Sequence, residues 1–165
     1  MKPILSSGII LLGLASTVTA HQTSAAAGET EVQRFIHRYA AAASTSGPSL
    51  KSFYLPGATI STMESGGEPG KRTLSILSVD EFEAWLGSMS AQYEYVRFRP
   101  ATVEVQAYRG LAQARVVFEV REKEKAKPEQ VVHSLDQFHL YRVNGEWKIS
   151  AHAWIMAEPG KPLVP

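Results

Sequence analysis

The chain contains no cysteine. A disulfide framework, a thiolate nucleophile and a lipoprotein attachment are all excluded. It has no excess of charge of either sign: 17 Lys and Arg stand against 16 Asp and Glu. Nucleic-acid binding depends on neutralising many phosphates with basic side chains, so a balanced chain offers little basis for it. Long apolar runs are scarce. Ile4 to Leu14 is the longest, and it is too short to span a bilayer with comfort. No internal repeat is present. What remains is ordinary for a soluble domain: 165 residues, 44% hydrophobic and 20% charged, enough for one proper core.

The N-terminus has the shape of a leader. Lys2 supplies a minimal positive region, the apolar run follows, and Val18-Thr19-Ala20 ends it with a small-x-small cleavage pattern. Residues 1–20 are therefore expected to be a cleaved signal peptide, with a periplasmic or secreted destination. Lys2 departs with the leader, which brings the mature side-chain charge to about zero. Residues 21–28 read as a small polar linker.

The folded region is expected over 29–157. Thr30 and Gln33 have the spacing of a capping box, and Val32, Phe35, Ile36, Tyr39, Ala40 and Ala43 follow a 3.6-residue period. Pro48 suits the first turn of a short helix through about Tyr54, and Leu55-Pro56-Gly57 reads as a turn before a strand over 58–63. Gly66, Gly67, Pro69 and Gly70 make a flexible loop. Ser78 and Glu81 form a second capping box, opening a helix with Val79, Phe82, Trp85, Leu86 and Met89 on one face. Strand alternation then occupies 94–108 and 111–123, joined at Arg109-Gly110. A Pro-rich tail closes the chain over 158–165.

The most informative segment is Val131 to Met156. Asn144-Gly145 between two alternating runs is the strongest short hairpin signal. One face of the first strand carries Ser134, Asp136, Phe138 and Leu140. If the matching face of the second carries Ser150, His152 and Trp154, a carboxyl and an imidazole lie among aromatics on one surface. The opposite face would then hold Gln137, His139, Tyr141, Trp147 and Ile149, a broad mixed surface that is costly to expose. Helices first and a long antiparallel meander after them make an α+β pattern, with helices on one face of a curved sheet. Such a cone-shaped α+β roll leaves an open end that can hold a ligand.

Several short stretches carry a family resemblance. They are Glu31-Val32-Gln33 with Arg38-Tyr39, Phe53-Tyr54 with Ala58-Thr59-Ile60, Leu135-Asp136, and Gly145-Glu146-Trp147-Lys148-Ile149 leading to Trp154. In this order and spacing the chain resembles the nuclear transport factor 2-like superfamily, which includes ketosteroid isomerases and SnoaL-like polyketide cyclases. The resemblance implies the cone-shaped roll and a homodimer through the outer sheet face. Against ketosteroid isomerase, Tyr39 and Asp136 fall at the places of the oxyanion-hole tyrosine and protonated aspartic acid, and Trp154 at a pocket tryptophan. The isomerase base, an aspartate just after the first strand, has no counterpart: Ser61-Thr62-Met63 stands there, with Glu64 beyond. Neither hydroxyl acts as a base at neutral pH without an activating partner.

The candidate site is therefore Asp136, His152 and Tyr39, with Phe35, Trp85, Phe118, Phe138 and Trp154 either lining a pocket or filling a core. Asp136 is either a buried hydrogen-bond donor or general acid, or a carboxylate paired with Arg115 or Arg97. His152 either pairs with Asp136 for proton transfer or is satisfied by a carbonyl or water. Tyr39 either contacts a ligand or bonds locally. No metal or cofactor is called for. His133 and His139 are about 20 Å apart along a strand, too far to share one ion, and the glycine-rich loop lacks a phosphate-cradle pattern. The expected role is binding of a small, largely apolar molecule. The alternatives are a lyase or isomerase using Asp136 and His152, and a non-catalytic dimeric interaction module.

Overall fold

The computed structural model describes residues 15–44, 49–65, 72–157 and 163. Most of the leader, the glycine-rich loop and nearly all of the tail lie outside the described residues. The chain forms helix α1 (Ala15–Ala43), a short 3₁₀ turn (Lys51–Phe53), strands β1 (Tyr54–Ser65) and β2 (Arg72–Leu77), helix α2 (Val79–Gln92), and four long strands. These are β3 (Tyr93–Tyr108), β4 (Leu111–Glu124), β5 (Gln130–Val143) and β6 (Glu146–Met156). One six-stranded sheet has the order β2-β1-β6-β5-β4-β3. All neighbours are antiparallel except β1 and β6. Both helices pack on one face, α1 mainly against β3 and α2 against β1 and β3. This is the expected α+β roll. Among the described residues no helix is long and apolar enough to cross a membrane.

Helix α1 buries the expected stripe: Val32, Phe35, Ile36, Tyr39, Ala40 and Ala43 are all under 9% exposed. Its start differs from expectation. Thr30 lies inside the helix, and its hydroxyl donates to the Ala26 carbonyl one turn earlier at 3.1 Å, rather than capping. Residues 21–28, read as a linker, are helical. Ala25-Ala26-Ala27 has the best helix propensity available and nothing there stops the helix. Gly28 fits because a Cβ at that position would come within 3.3 Å of the Ala107 side chain, so the helix approaches β3 closely here.

Helix α2 begins as expected. The Ser78 side chain accepts from the Glu81 N–H, and the Glu81 carboxylate accepts from the Ser78 N–H at 2.7 Å. The short helix expected through Tyr54 is only the three-residue 3₁₀ turn. The segment Leu55-Pro56-Gly57 is not a turn but part of β1, where Gly57 at φ +76° sits within a shift of register against β6. Both expected hairpin turns form. Arg109-Gly110 and Asn144-Gly145 each place two successive residues at positive φ, which matches the right-handed twist of the flanking strands.

One irregularity reverses part of the expected sheet. Leu140 pairs with Ile149 while His139 pairs with Ala151, so Ser150 is an extra residue, a β-bulge in β6. One inserted residue flips the alternation. Trp147 and Ile149 therefore leave the outer face and join Leu140 in the core, 7% and 0% exposed. They are not part of any outer-face interface. The flip also keeps His152 and Trp154 on the inner face beyond the bulge, whereas Ser150 turns its hydroxyl to the His139 carbonyl at 3.2 Å.

Candidate functional site

Four elements converge on one buried cluster. Strand alternation on β5 turns Ser134, Asp136 and Phe138 inward. The bulged β6 turns His152 inward between Phe138 of β5 and Ile60 of β1. Helix α1 brings Tyr39 down on its apolar stripe, and Tyr54 enters at the first position of β1. Ser134, Asp136, His152, Tyr39 and Tyr54 are each no more than 5% exposed.

Their polar atoms form a continuous line. Asp136 Oδ2 lies 2.8 Å from His152 Nε2, and the Ser134 hydroxyl donates to Asp136 Oδ1 at 2.6 Å. On the other side of the ring, His152 Nδ1 is 3.1 Å from the Tyr54 hydroxyl and 3.5 Å from that of Tyr39. The two phenols are 3.0 Å apart. The imidazole is held in plane by stacking on Phe138, with centroids 4.3 Å apart and planes at 15°. Phe82 of α2 meets its edge at 6.0 Å. With the carboxylate ionised, Nε2–H donates to Asp136 and Nδ1 accepts from a phenol. With the imidazole doubly protonated, Nδ1–H donates to the phenol instead. Desolvation pushes the Tyr39 hydroxyl well above the ordinary tyrosine range, and the nearby Tyr54 and Asp136 charges add to this. Burial likewise raises Tyr54, against a hydrogen bond from Tyr39 that lowers it. Both phenols are therefore neutral donors across the physiological range.

The partner of Asp136 is thus His152. Arg115 instead meets Glu104 on the outer face at 3.3 Å, and Arg97 lies over the Tyr95 ring at 4.4 Å. An inner cavity of about 50 Å³ opens at this cluster. Tyr39, Ser134, Asp136 and His152 supply its polar wall, and Trp85, Phe118, Val120 and Trp154 much of its apolar wall. Of the aromatics singled out in the sequence, Trp85, Phe118 and Trp154 line the cavity. Phe138 lies behind His152, fully buried, and Phe35 faces a different cleft, with its ring 5.4 Å from Phe53. That second cleft is larger, about 610 Å³, but it is a surface groove of Arg34, Arg38, Arg142, Glu31 and Glu146 remote from the Asp136–His152 pair. The Asp136–His152 pair lines the smaller cavity. Among the described residues no three His, Asp or Glu side chains are grouped to hold a metal ion.

The sequence reading missed three contributors. Tyr54 was placed in a helix, although the Phe53-Tyr54 pair carried part of the resemblance. Glu122, on the inner face of β4 at the mouth of the cavity, gave no signal beyond strand parity. Thr62 was considered only as a base. It is 2% exposed, and among the described residues neither its hydroxyl nor the indole N–H of its register partner Trp154 has a hydrogen-bond partner.

No protein-family model matches the chain, and no curated protein matches it significantly. Solved structures do match in fold. A protein from Novosphingobium aromaticivorans, provisionally described as a scytalone dehydratase, superposes with a TM-score of 0.66 at 12% identity, over 85% of this chain and 89% of its own. A nuclear transport factor 2-like protein with a cystatin-like fold from the same organism has a TM-score of 0.62 at 13% identity, over 88% and 91%. A nuclear transport factor 2-like superfamily protein from Salmonella enterica has 0.63 at 14%, over 85% and 99%. At these identities what is shared is the fold.

Proposed function

We propose, for a chain with the nuclear transport factor 2-like fold, that the inner cavity binds a small ring compound bearing a carbonyl or hydroxyl group and moves a proton on it, as an isomerase or dehydratase does. The observation that carries this reading is the buried contact of 2.8 Å between Asp136 and His152, continued through His152 Nδ1 to the two phenols. A proton-transfer pair must first be within hydrogen-bond reach, and this one is. Asp136 and Tyr39 both line the cavity, on opposite sides of the imidazole.

This placement suits enolisation. The Asp136 carboxylate takes a proton from a carbon next to the ligand carbonyl. The carbonyl oxygen accepts a hydrogen bond from the neutral Tyr39 hydroxyl, which stabilises the charge that develops there. His152 Nε2–H holds the carboxylate in place, and the protonated Asp136 then returns the proton to another carbon of the ligand while Tyr39 keeps donating to the oxygen. Proton and charge balance without any further reactant. Loss of a hydroxyl from the adjacent carbon would turn the same step into a dehydration. A neighbour in fold described as a dehydratase is compatible with this chemistry.

A ring does not fit in 50 Å³, about the space of one or two waters. Entry must therefore displace a wall. Helix α2 is the yielding one: Phe82 is its one buried residue, while Trp85 is 38% exposed. The same small volume, with every polar atom of the Asp136–His152 pair already satisfied inside the protein, favours a second reading in which the cavity binds a ligand without turning it over. Deuterium exchange separates the two. With 2-indanone in D₂O, the enzyme reading expects protein-dependent label at the carbons flanking the carbonyl, abolished in Asp136→Asn and His152→Phe. Saturable binding without exchange in the wild type sinks catalysis and leaves the binding reading. No binding of any ring compound sinks both.

A further inference from the structure

Thr62 and Trp154 are partners in register on the parallel strands β1 and β6. Trp154 is in turn the register partner of Asp136 on β5. Three inward residues therefore stand in a row across the sheet: Thr62, Trp154, Asp136. Neighbouring strands are about 4.8 Å apart, so the row spans roughly 10 Å from Thr62 to Asp136. One end of it is fully satisfied, since Asp136 accepts from Ser134 and meets His152. The other end is not. The Thr62 hydroxyl and the Trp154 indole N–H are both buried and both without a partner among the described residues. Buried polar groups are almost always paired, and a buried orphan forfeits the hydrogen bonds it would make in water. The two orphans belong to register-paired residues, of which Trp154 forms part of the cavity wall while Thr62 stands next to it in the row, outside the present lining, and together they offer two donors to one acceptor.

We infer that Thr62 Oγ1 and Trp154 Nε1 form a second polar subsite, which takes an oxygen atom on the far side of the ligand ring from the oxygen held by Tyr39. This rests on the reading of the cavity given above and narrows it: the ligand is a ring compound with two oxygen functions, one at each end of the row. An apolar ligand with a single polar head leaves both orphans uncompensated. The Trp154 ring is already positioned by Trp85 of α2, with centroids 5.7 Å apart, so the displacement of α2 that admits a ring also bears on this subsite.

The test uses two probes of nearly equal shape, 4-propylphenol and 4-(2-hydroxyethyl)phenol, which differ by a terminal methyl against a hydroxyl. Binding to the full chain is read by calorimetry, and ligand-free stability by thermal melting. In the wild type the hydroxyl-bearing probe should bind at least as tightly as the propyl one. Thr62→Val and Trp154→Phe should each shift the preference toward the propyl probe by roughly 3- to 10-fold, the worth of one hydrogen bond. Ligand-free Thr62→Val should melt at the same temperature or higher, because it removes an unpaired hydroxyl. Three results overturn the subsite. They are a preference unmoved by both substitutions, a wild type that favours the propyl probe as strongly as the variants do, and a ligand-free Thr62→Val that melts lower, which shows that the hydroxyl already has a partner inside the protein. Asp136→Asn serves as the separate check on the cavity reading and should weaken both probes alike. If neither probe binds the wild type, the cavity reading fails and the subsite fails with it. If both bind and only the Asp136→Asn effect is missing, the role given to Asp136 at the ligand fails, while the cavity as a binding site and its second subsite stand.

Discussion

Two histidines on adjacent strands show what the two faces of one sheet do to the same side chain. His139 of β5 is exposed on the outer face. His152 of β6 is 2% exposed on the inner face, stacked on Phe138 and bonded at both nitrogens. The Cα atoms that pair with them, Ala151 and Phe138, belong to the same two strands. Only the pleat and one bulge separate a solvated ring from a ring in a buried relay. The difference teaches that residue type and strand assignment do not locate a site. Parity does, and parity is set by where the register slips.

The sharpest way to break this comparison is Trp147→Asp. On an outer face the change would be mild and would weaken self-association. On the inner face, where Trp147 is 7% exposed beside Glu31, it buries an unpaired carboxylate next to another, and the expected loss exceeds about 4 kcal/mol, enough to unfold the chain in a urea titration followed by circular dichroism. Next in size is Asp136→Ala, which leaves His152 buried with one nitrogen unpartnered. A loss of about 3–5 kcal/mol is expected, and the double change Asp136→Leu with His152→Phe should recover much of it, since an apolar pair of similar size is tolerated where a broken polar pair is not. A double variant no more stable than the single one would show that the relay contributes to stability as an intact unit.

The pH dependence of melting sharpens the contrast further. Tyr39 and Tyr54 ionise less readily in the folded chain than in the unfolded one, chiefly because they are buried. Both are neutral in either state at low pH, so their contribution is constant up to about pH 10, where unfolded tyrosine ionises, and stability is lost above it. Tyr54→Phe should make that alkaline loss shallower. The surface gives the opposite limb. Hydrogen bonds from Arg99 and Arg121 push the Glu119 carboxyl down to about 2. Its contribution is present above the ordinary glutamate range and fades as pH falls toward 2, and salt should screen it. An alkaline limb identical in wild type and Tyr54→Phe would refute the burial assignment. The smallest effect belongs to His139→Gln on the outer face, within about 0.5 kcal/mol in the same melt.

Much of this was legible beforehand where the signal is local. The hairpin at Asn144-Gly145, the Ser78–Glu81 capping box and the buried stripe through Tyr39 are each set by a few consecutive residues. Asp136 and His152 were singled out because their strands alternate cleanly near the site. The start of α1 was misplaced because Thr30 and Gln33 have capping-box spacing, yet an alanine-rich stretch before them continues the helix. Trp147 and Ile149 were put on the wrong face because an unbroken period of two was carried through Ser150. The strand β2 is not foreseen in the sequence: its apolar Leu74 and Ile76 stay exposed and Leu77 packs only partly against the core, so no alternating buried face announces it.

By itself the sequence determined the elements, their order and the chemistry available to one strand face, because propensity, capping and turn geometry act over a few neighbouring residues. Tertiary structure alone decided three things. It placed β1 parallel to β6, which sets Thr62 beside Trp154 and brings Tyr54 to the imidazole. It put one bulge at Ser150, which chose the residues that face inward. It closed α2 over the row, which left a cavity of about 50 Å³ instead of an open cone. Each depends on contacts between residues far apart in the chain, whose energy comes from packing and pairing across elements, and no local pattern of residues records it.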